Sequence, residues 1–269
     1  MFLADTHMHS TASFDGHASR LEMARSAAEH GLSVICFTDH YDVVDEHGTY
    51  VPAFDWPTAR KQHREALDAG FPVEILYGLE LGNAFANYDA AARAIQEQGL
   101  DVVIGSVHNS GKELGYIDYY NVVFTPDMCK PYLDDYIHQE LALVEWGQFD
   151  VLAHLPYPLR YMRDRDGCPA SMEAYQEQIT AILETIIRKG IALEVNTKGF
   201  EKSAKDYAAL LERYHQLGGR LVTVGADAHR LHEVGRNLPE AYHLMKEKGF
   251  ETVTVFRGRK AEQIPLPVL

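Results

Sequence analysis

Short β-rich runs alternate with helical stretches along the whole chain, and this alternation constrains the fold more than any other feature. The β-rich runs fall at residues 2–4, 33–37, 73–78, 101–106, 151–153, 191–195 and 221–225, with one more at 252–256. Between them the pattern predicts helices near 19–29, 57–69, 88–98, 126–146, 171–189, 204–216 and 239–248. Pro57 opens one of these and Gly70 closes it, Asn87 is placed to cap another, and Gly190 follows a third. Strands separated by helices of ten or more residues build βαβ units and a parallel sheet. Seven or eight such units predict an α/β fold closed as a TIM-like barrel, with residues 1–269 as a single domain. No G-x-G-x-x-G and no P-loop follows any run, which removes the usual dinucleotide and nucleotide readings.

The polar residues fall at one end of this pattern. The runs end, in order, in Asp5-Thr6-His7-Met8-His9, Thr38-Asp39-His40, Gly78-Leu79-Glu80, Ser106-Val107-His108, Ala153-His154, Glu194-Val195-Asn196 and Ala226-Asp227-Ala228-His229. These are C-terminal strand ends, where barrel enzymes carry their active sites. In H-x-H on a strand, residues i and i+2 project to the same side, so His7 and His9 can share one cation. Asp227 and His229 repeat the spacing with a carboxylate and an imidazole. Glu80 stands alone, as a carboxylate bridging two cations would. Imidazole with carboxylate suits Zn, Fe or Mn better than Mg or Ca, and the ligand count exceeds one tetrahedral ion, which implies two or three divalent metals. His30, His63, His138, His215 and His243 sit in helical stretches and read as solvated faces.

The chain is acidic, with a net charge of −14. Such a chain repels phosphate backbones unless positive charge is concentrated locally, so nucleic-acid partners are disfavoured. Bound cations can reverse that sign inside a pocket and admit a small anionic substrate. The three cysteines, Cys36, Cys129 and Cys168, are widely spaced with no C-x-x-C, which predicts a reducing, cytoplasmic setting. No apolar run approaches the roughly 20 residues of a membrane span, and the N-terminus shows no signal-peptide pattern. Oligomeric state is not fixed by any of these features.

At the strand-end residues the sequence resembles the PHP (polymerase and histidinol phosphatase) superfamily, from Asp5-Thr6-His7-Met8-His9 to Asp227-Ala228-His229. It is most similar to the stand-alone histidinol-phosphatase branch, because Phe37-Thr38-Asp39-His40, Gly105-Ser106-Val107-His108 and Glu194-Val195-Asn196-Thr197 occur in order. The resemblance implies a distorted (β/α)7 barrel with three metals. One would be held by His7, His9, Glu80 and Asp227, a second by Glu80, His108 and His154, and a third by Asp15, His40 and His229. Many relatives carry a His where this chain has Asp15. Amidohydrolases also open with H-x-H and end with a strand Asp, but they commonly place a carboxylated Lys mid-barrel, where this chain offers Glu80, His108 and His154.

The implied reaction is phosphomonoester hydrolysis, with L-histidinol phosphate of histidine biosynthesis as the leading substrate. Hydroxide bridging the two metals that share Glu80 would attack phosphorus, with Asp227 among the catalytic groups. Arg160 is the first candidate to clamp phosphate, followed by Lys198 and Arg230, and Asn196 is placed to orient substrate or water. Ser10 and Ser106 read as hydrogen-bonding residues rather than nucleophiles. Asp5 would orient His7 or His9 from behind, or else satisfy backbone amides. Asp42, Asp45 and Glu46, in an acidic loop at 41–56, would attract a cationic amino alcohol or form a solvated lid. Two alternatives remain at this level: a phosphodiesterase or exonuclease acting on nucleotides, and a non-catalytic metal-binding accessory module.

Overall fold

The computed structural model describes residues 2–45, 47–50 and 54–267. Its elements are β1 (Ala4–Met8), α1 (Arg20–Glu29), β2 (Val34–Phe37), β3 (His40–Asp42), α2 (Trp56–Asp68), β4 (Glu74–Gly82), α3 (Tyr88–Ala94), β5 (Val102–Ser106), α4 (Pro126–Trp146), β6 (Val151–Leu152), α5 (Tyr157–Met162), α6 (Gln176–Lys189), β7 (Ala192–Asn196), α7 (Phe200–Gln216), β8 (Val222–Gly225), α8 (Leu238–Glu247), β9 (Thr252–Arg257) and β10 (Lys260–Pro265). Local chemistry sets several bounds. Ser19 and Glu22 form a capping box that starts α1, and Asn87 accepts the Ala90 N–H to start α3.

Seven parallel strands pair in the order β1-β2-β4-β5-β6-β7-β8. The seam between β1 and β8 is nearly closed: His9 N–H donates to Ala228 O at 2.8 Å and Asp227 N–H to His7 O at 2.8 Å. The architecture is therefore the barrel-like α/β fold that the alternation predicts. After a break at Thr38 and Asp39, β3 pairs with the outer half of β4, setting His40 opposite Glu80.

The run at 252–256 is a strand but not an eighth barrel stave. Only Gly258 and Arg259 separate β9 from β10, and both have positive φ (53° and 63°). That is the two-residue geometry of an antiparallel hairpin, too short for a parallel crossover. Helix bounds also shift: α3 ends at Ala94, α6 starts at Gln176 after a short 3-10 turn, and α7 begins at Phe200. The short α5, which carries Arg160, has no counterpart in the sequence pattern.

Two apolar clusters result. Alternate strand residues such as Ile35, Val103, Leu193 and Val224 pack outward against the helices. Ala4, Val34, Cys36, Leu76, Val102, Ile104, Val151, Ala153 and Ala192 pack inward, sealed below by Val255 and Phe256 of β9. Along β4 the inward series Leu76, Gly78 reaches Glu80, and along β7 Ala192 reaches Glu194 and Asn196. The barrel thus fills with hydrocarbon at the bottom and with polar groups at the top. Among the described residues no helix is long and apolar enough to cross a membrane.

Candidate metal centre

Strand ends bring the predicted donors together. His7 Nε2 lies 3.1 Å from His9 Nε2 and 3.1 Å from Glu80 Oε2. His9 Nε2 lies 3.4 Å from both Glu80 Oε2 and Asp227 Oδ1. On the other carboxylate oxygen, His108 Nε2 and His154 Nε2 each stand 3.0 Å from Glu80 Oε1 and 3.4 Å from one another. Toward the rim, Asp15 Oδ2 lies 2.8 Å from His229 Nε2 and 3.5 Å from His40 Nε2. The partition is less clean than the three sets inferred from resemblance. His9 stacks between His40 and His229, at 4.2 and 4.3 Å between ring centroids, and so also borders the rim group. His40 Nδ1 lies 3.2 Å from Glu80 Oε2, so it borders the inner group as well.

These distances test whether cations fit. Two donors about 2.1 Å from one ion stand about 3.0–3.4 Å apart. The inner contacts fall in that range. Glu194 Oε1 accepts from His7 Nδ1 at 2.6 Å, and Asp42 Oδ2 accepts from His108 Nδ1 at 3.2 Å. With the proton fixed on Nδ1, each Nε2 turns a lone pair toward Glu80 and a neighbouring imidazole. Acceptors that converge in a buried space call for a positive ion. His154 Nδ1, Asp15 Oδ1 and Asp42 Oδ1 are also buried without hydrogen-bond partners.

The electrostatics agree. Burial alone would raise the Glu80 pKa, but His7, His40 and His108 hold it well below the usual carboxylate range. Burial opposes a charge on His7, yet Glu194 and Glu80 push its pKa well above the imidazole norm. Burial, then His40 and His229, drive His9 down to about 3. The imidazoles therefore cannot all balance the carboxylates by carrying protons.

Among the supporting residues, the structure takes up the second reading of Asp5 and departs from expectation at Asp42, His63 and His215. Asp5 satisfies backbone amides: its oxygens accept from Ala226 N–H and Gly235 N–H at 2.8 and 3.0 Å, and its carboxylate also faces the His7 backbone N–H. The orienting carboxylate is Glu194, which also accepts from His154 N–H at 2.8 Å. A charged residue inside the apolar run of β7 was the signal for it. Gly225 leaves room for this pair, since a Cβ there would sit 2.2 Å from His7 Cβ and 2.9 Å from Glu194 Oε1. Asp42 belongs to β3 and turns inward to His108 rather than out toward substrate. Asp45 accepts from the backbone N–H groups of His47 and Thr49, and Glu46 lies outside the described residues. Ser10 donates to Asp39, which also pairs with the buried Arg20 at 2.6 Å. His63 is not on a solvated face: it is half-buried against the Tyr77 ring, and burial with Arg20 lowers its pKa to about 4. His215 is likewise half-buried, against Phe250.

Above the cluster lies a cavity of about 470 Å³ lined by Arg160, Lys198 and Arg230 among others. Arg160 stacks on Tyr157 at 5.3 Å, reaches Asp227 Oδ2 at 3.3 Å and donates to Asn196 Oδ1 at 3.2 Å. Lys198 Nζ lies 3.3 Å from Asp227 Oδ1. Asn196 faces Arg160 and Glu194 and so braces the arginine from behind. Arg230 stands farther out, with Nη2 2.8 Å from His17 Nε2. Asp227 itself adopts φ 51°, a left-handed conformation rare for a non-glycine residue and typical of functional sites.

Comparison with known proteins follows the same lines. A family model described as PHP domain matches residues 5–198. The probable histidinol-phosphatase of Thermotoga maritima is 31% identical over 98% of this chain and all of that protein. The histidinol-phosphatase of Lactococcus lactis is 29% identical over 96% of each. A crystal structure of histidinol phosphate phosphatase from L. lactis, complexed with Zn, L-histidinol and phosphate, superimposes with a TM-score of 0.83 at 27% identity, covering 97% of this chain and 100% of that one.

Proposed function

The chain belongs to the PHP domain family, and from that membership we propose that it is a metal-dependent phosphatase that hydrolyses L-histidinol phosphate to L-histidinol and phosphate. The observation that carries this reading is Glu80, whose two carboxylate oxygens face separate imidazole groups, His7, His9 and His40 on Oε2 and His108 and His154 on Oε1, beneath an arginine- and lysine-lined cavity. The full-length similarity to histidinol-phosphatases supports the substrate.

In this reading His7, His9, Glu80 and Asp227 would hold one divalent cation, and Glu80, His108 and His154 would hold a second. Asp15, His40 and His229 would hold a third at the rim, with Zn, Fe or Mn as the fitting ions. Bound cations supply Lewis acidity and lower the pKa of water from 15.7 toward about 7. Glu194 and Asp42 keep the His7 and His108 protons on Nδ1, so that Nε2 stays a donor to metal. Arg160, held flat on Tyr157 and braced by Asn196, presents its guanidinium to the phosphoryl oxygens, and Lys198 adds a second positive charge beside it. Water adds to phosphorus while the ester P–O bond breaks and the alcohol departs. The test is phosphate release from L-histidinol phosphate by metal-loaded protein, abolished by EDTA and restored by a divalent ion. Loaded protein that releases no phosphate from this substrate overturns the reading.

A further inference from the structure

L-Histidinol phosphate carries an ammonium on the carbon next to the ester CH2, so the positive charge of the leaving group must lie close to the phosphoryl site. The cavity wall offers six acidic side chains to meet it: Asp15, Asp42, Glu80, Asp118, Asp227 and Glu233. Four of them face imidazoles of the metal centre. Glu233 is occupied by the N–H groups of His229 and Arg230 and by Arg236. Asp118 remains. It touches no ligand imidazole, yet its position is fixed relative to them, because Tyr119 N–H donates to His108 O at 3.0 Å.

Its surroundings suit an organic cation. Tyr157 OH donates to Asp118 Oδ1 at 3.3 Å, and Tyr161 OH donates to Tyr157 OH at 3.1 Å. The Tyr120 and Tyr161 rings meet edge to face, 6.0 Å apart, and both line the cavity. The Arg165 guanidinium already lies over the Tyr161 ring at 5.1 Å, so Tyr120 offers the aromatic face beside the carboxylate, and such a face holds an ammonium through the ring quadrupole as well as through the charge. Tyr157 separates this corner from the Arg160 guanidinium stacked on it, so the wall presents anion-binding and cation-binding groups side by side. Burial raises the Asp118 pKa, a penalty that an arriving cation relieves.

We propose that Asp118, with the Tyr120 ring beside it, is the specificity-determining site for the ammonium of the leaving alcohol. This rests on the phosphatase reading, deepens it, and is tested apart from it. The Asp118→Asn variant of the metal-loaded protein is compared with wild type in two ways. The first is the ratio of kcat/KM on L-histidinol phosphate to that on p-nitrophenyl phosphate, which lacks the amine. The second is calorimetric binding of L-histidinol and of its deaminated analogue, which needs no turnover. The expected result is a 10- to 100-fold fall in the ratio and a similar loss of L-histidinol affinity, with the preference over the deaminated analogue erased. Equal losses on both substrates, an unchanged preference for the amine, or the same fall in Asp45→Asn with none in Asp118→Asn would overturn the assignment. Absence of phosphate release with Asp118-dependent L-histidinol binding would defeat the phosphatase reading alone.

Discussion

At the lower mouth of the barrel the inward side chains are Ala4, Val34, Leu76, Val102 and Ala192, closed off by Val255 and Phe256. At the upper mouth the same inward series continues as Glu80, Ser106, Glu194 and Asn196, joined by six imidazoles. The strand-end side chains are buried at both mouths, but their energetics are opposed. Apolar burial below contributes roughly 25 cal/mol per Å², whereas each buried charge above costs stability unless a partner or a cation compensates it. Stability and chemistry therefore reside at opposite ends of the same strands, and substitutions at the two ends should separate them.

The largest effect is expected at the top. Glu80→Gln removes the carboxylate that both imidazole groups face and should lower phosphate release by at least about 10³-fold, with metal content falling in the same sample by elemental analysis. An active Glu80→Gln enzyme would remove the upper mouth from the chemistry. At the bottom, Phe256→Ala should cost about 3–5 kcal/mol in urea unfolding while kcat per folded molecule stays the same. A fall in kcat that tracks the lost stability would show that the two ends are not independent.

Glu140 of α4 sharpens the contrast, because it is a fully buried carboxyl with no ion-pair partner among the described residues and with the Tyr136 hydroxyl beside it as its polar neighbour. Burial raises its pKa to about 8 from an ordinary 4.5. The folded state therefore holds a proton that the unfolded chain releases between those values. The stability present below about pH 4.5 is lost as pH rises toward 8, with a slope of at most about 1.4 kcal/mol per pH unit. Glu140→Gln should flatten that part of the stability profile measured by chemical unfolding, and an unchanged slope would assign it elsewhere. The smallest expected effect is at Glu194. Its conversion to Gln keeps the shape but removes the charge behind His7, and chelator competition should show metal affinity weakened about 10-fold. No change would mean that the His7 tautomer is fixed without it.

Much of this is legible in the chain. Strand and helix periods are local, so the βαβ alternation can be read directly, and the i, i+2 geometry of His7-Met8-His9 follows from any strand. The position of His108, His154 and Glu80 at strand ends suffices to place them at one mouth. Three things are not legible. The run at 252–256 has strand composition, and only its two-residue turn into β10 makes it a plug rather than a stave. Asp5 and Glu194 are both carboxylates near ligands, but which one reaches His7 depends on how β7 and β8 are ordered beside β1. Asp42 and Asp118 both line the cavity, yet one pairs with His108 and the other with the Tyr157 hydroxyl.

The amino-acid sequence by itself determined most of the elements, the barrel class and the candidate donor residues, because those follow from side-chain type and short-range period. Tertiary structure alone decided the partners. Glu194 lies 187 residues from His7 along the chain, and at that separation no local preference acts. Only the closure of the sheet, with hydrocarbon packed beneath and cation-seeking lone pairs converging above, brings the two within 2.6 Å.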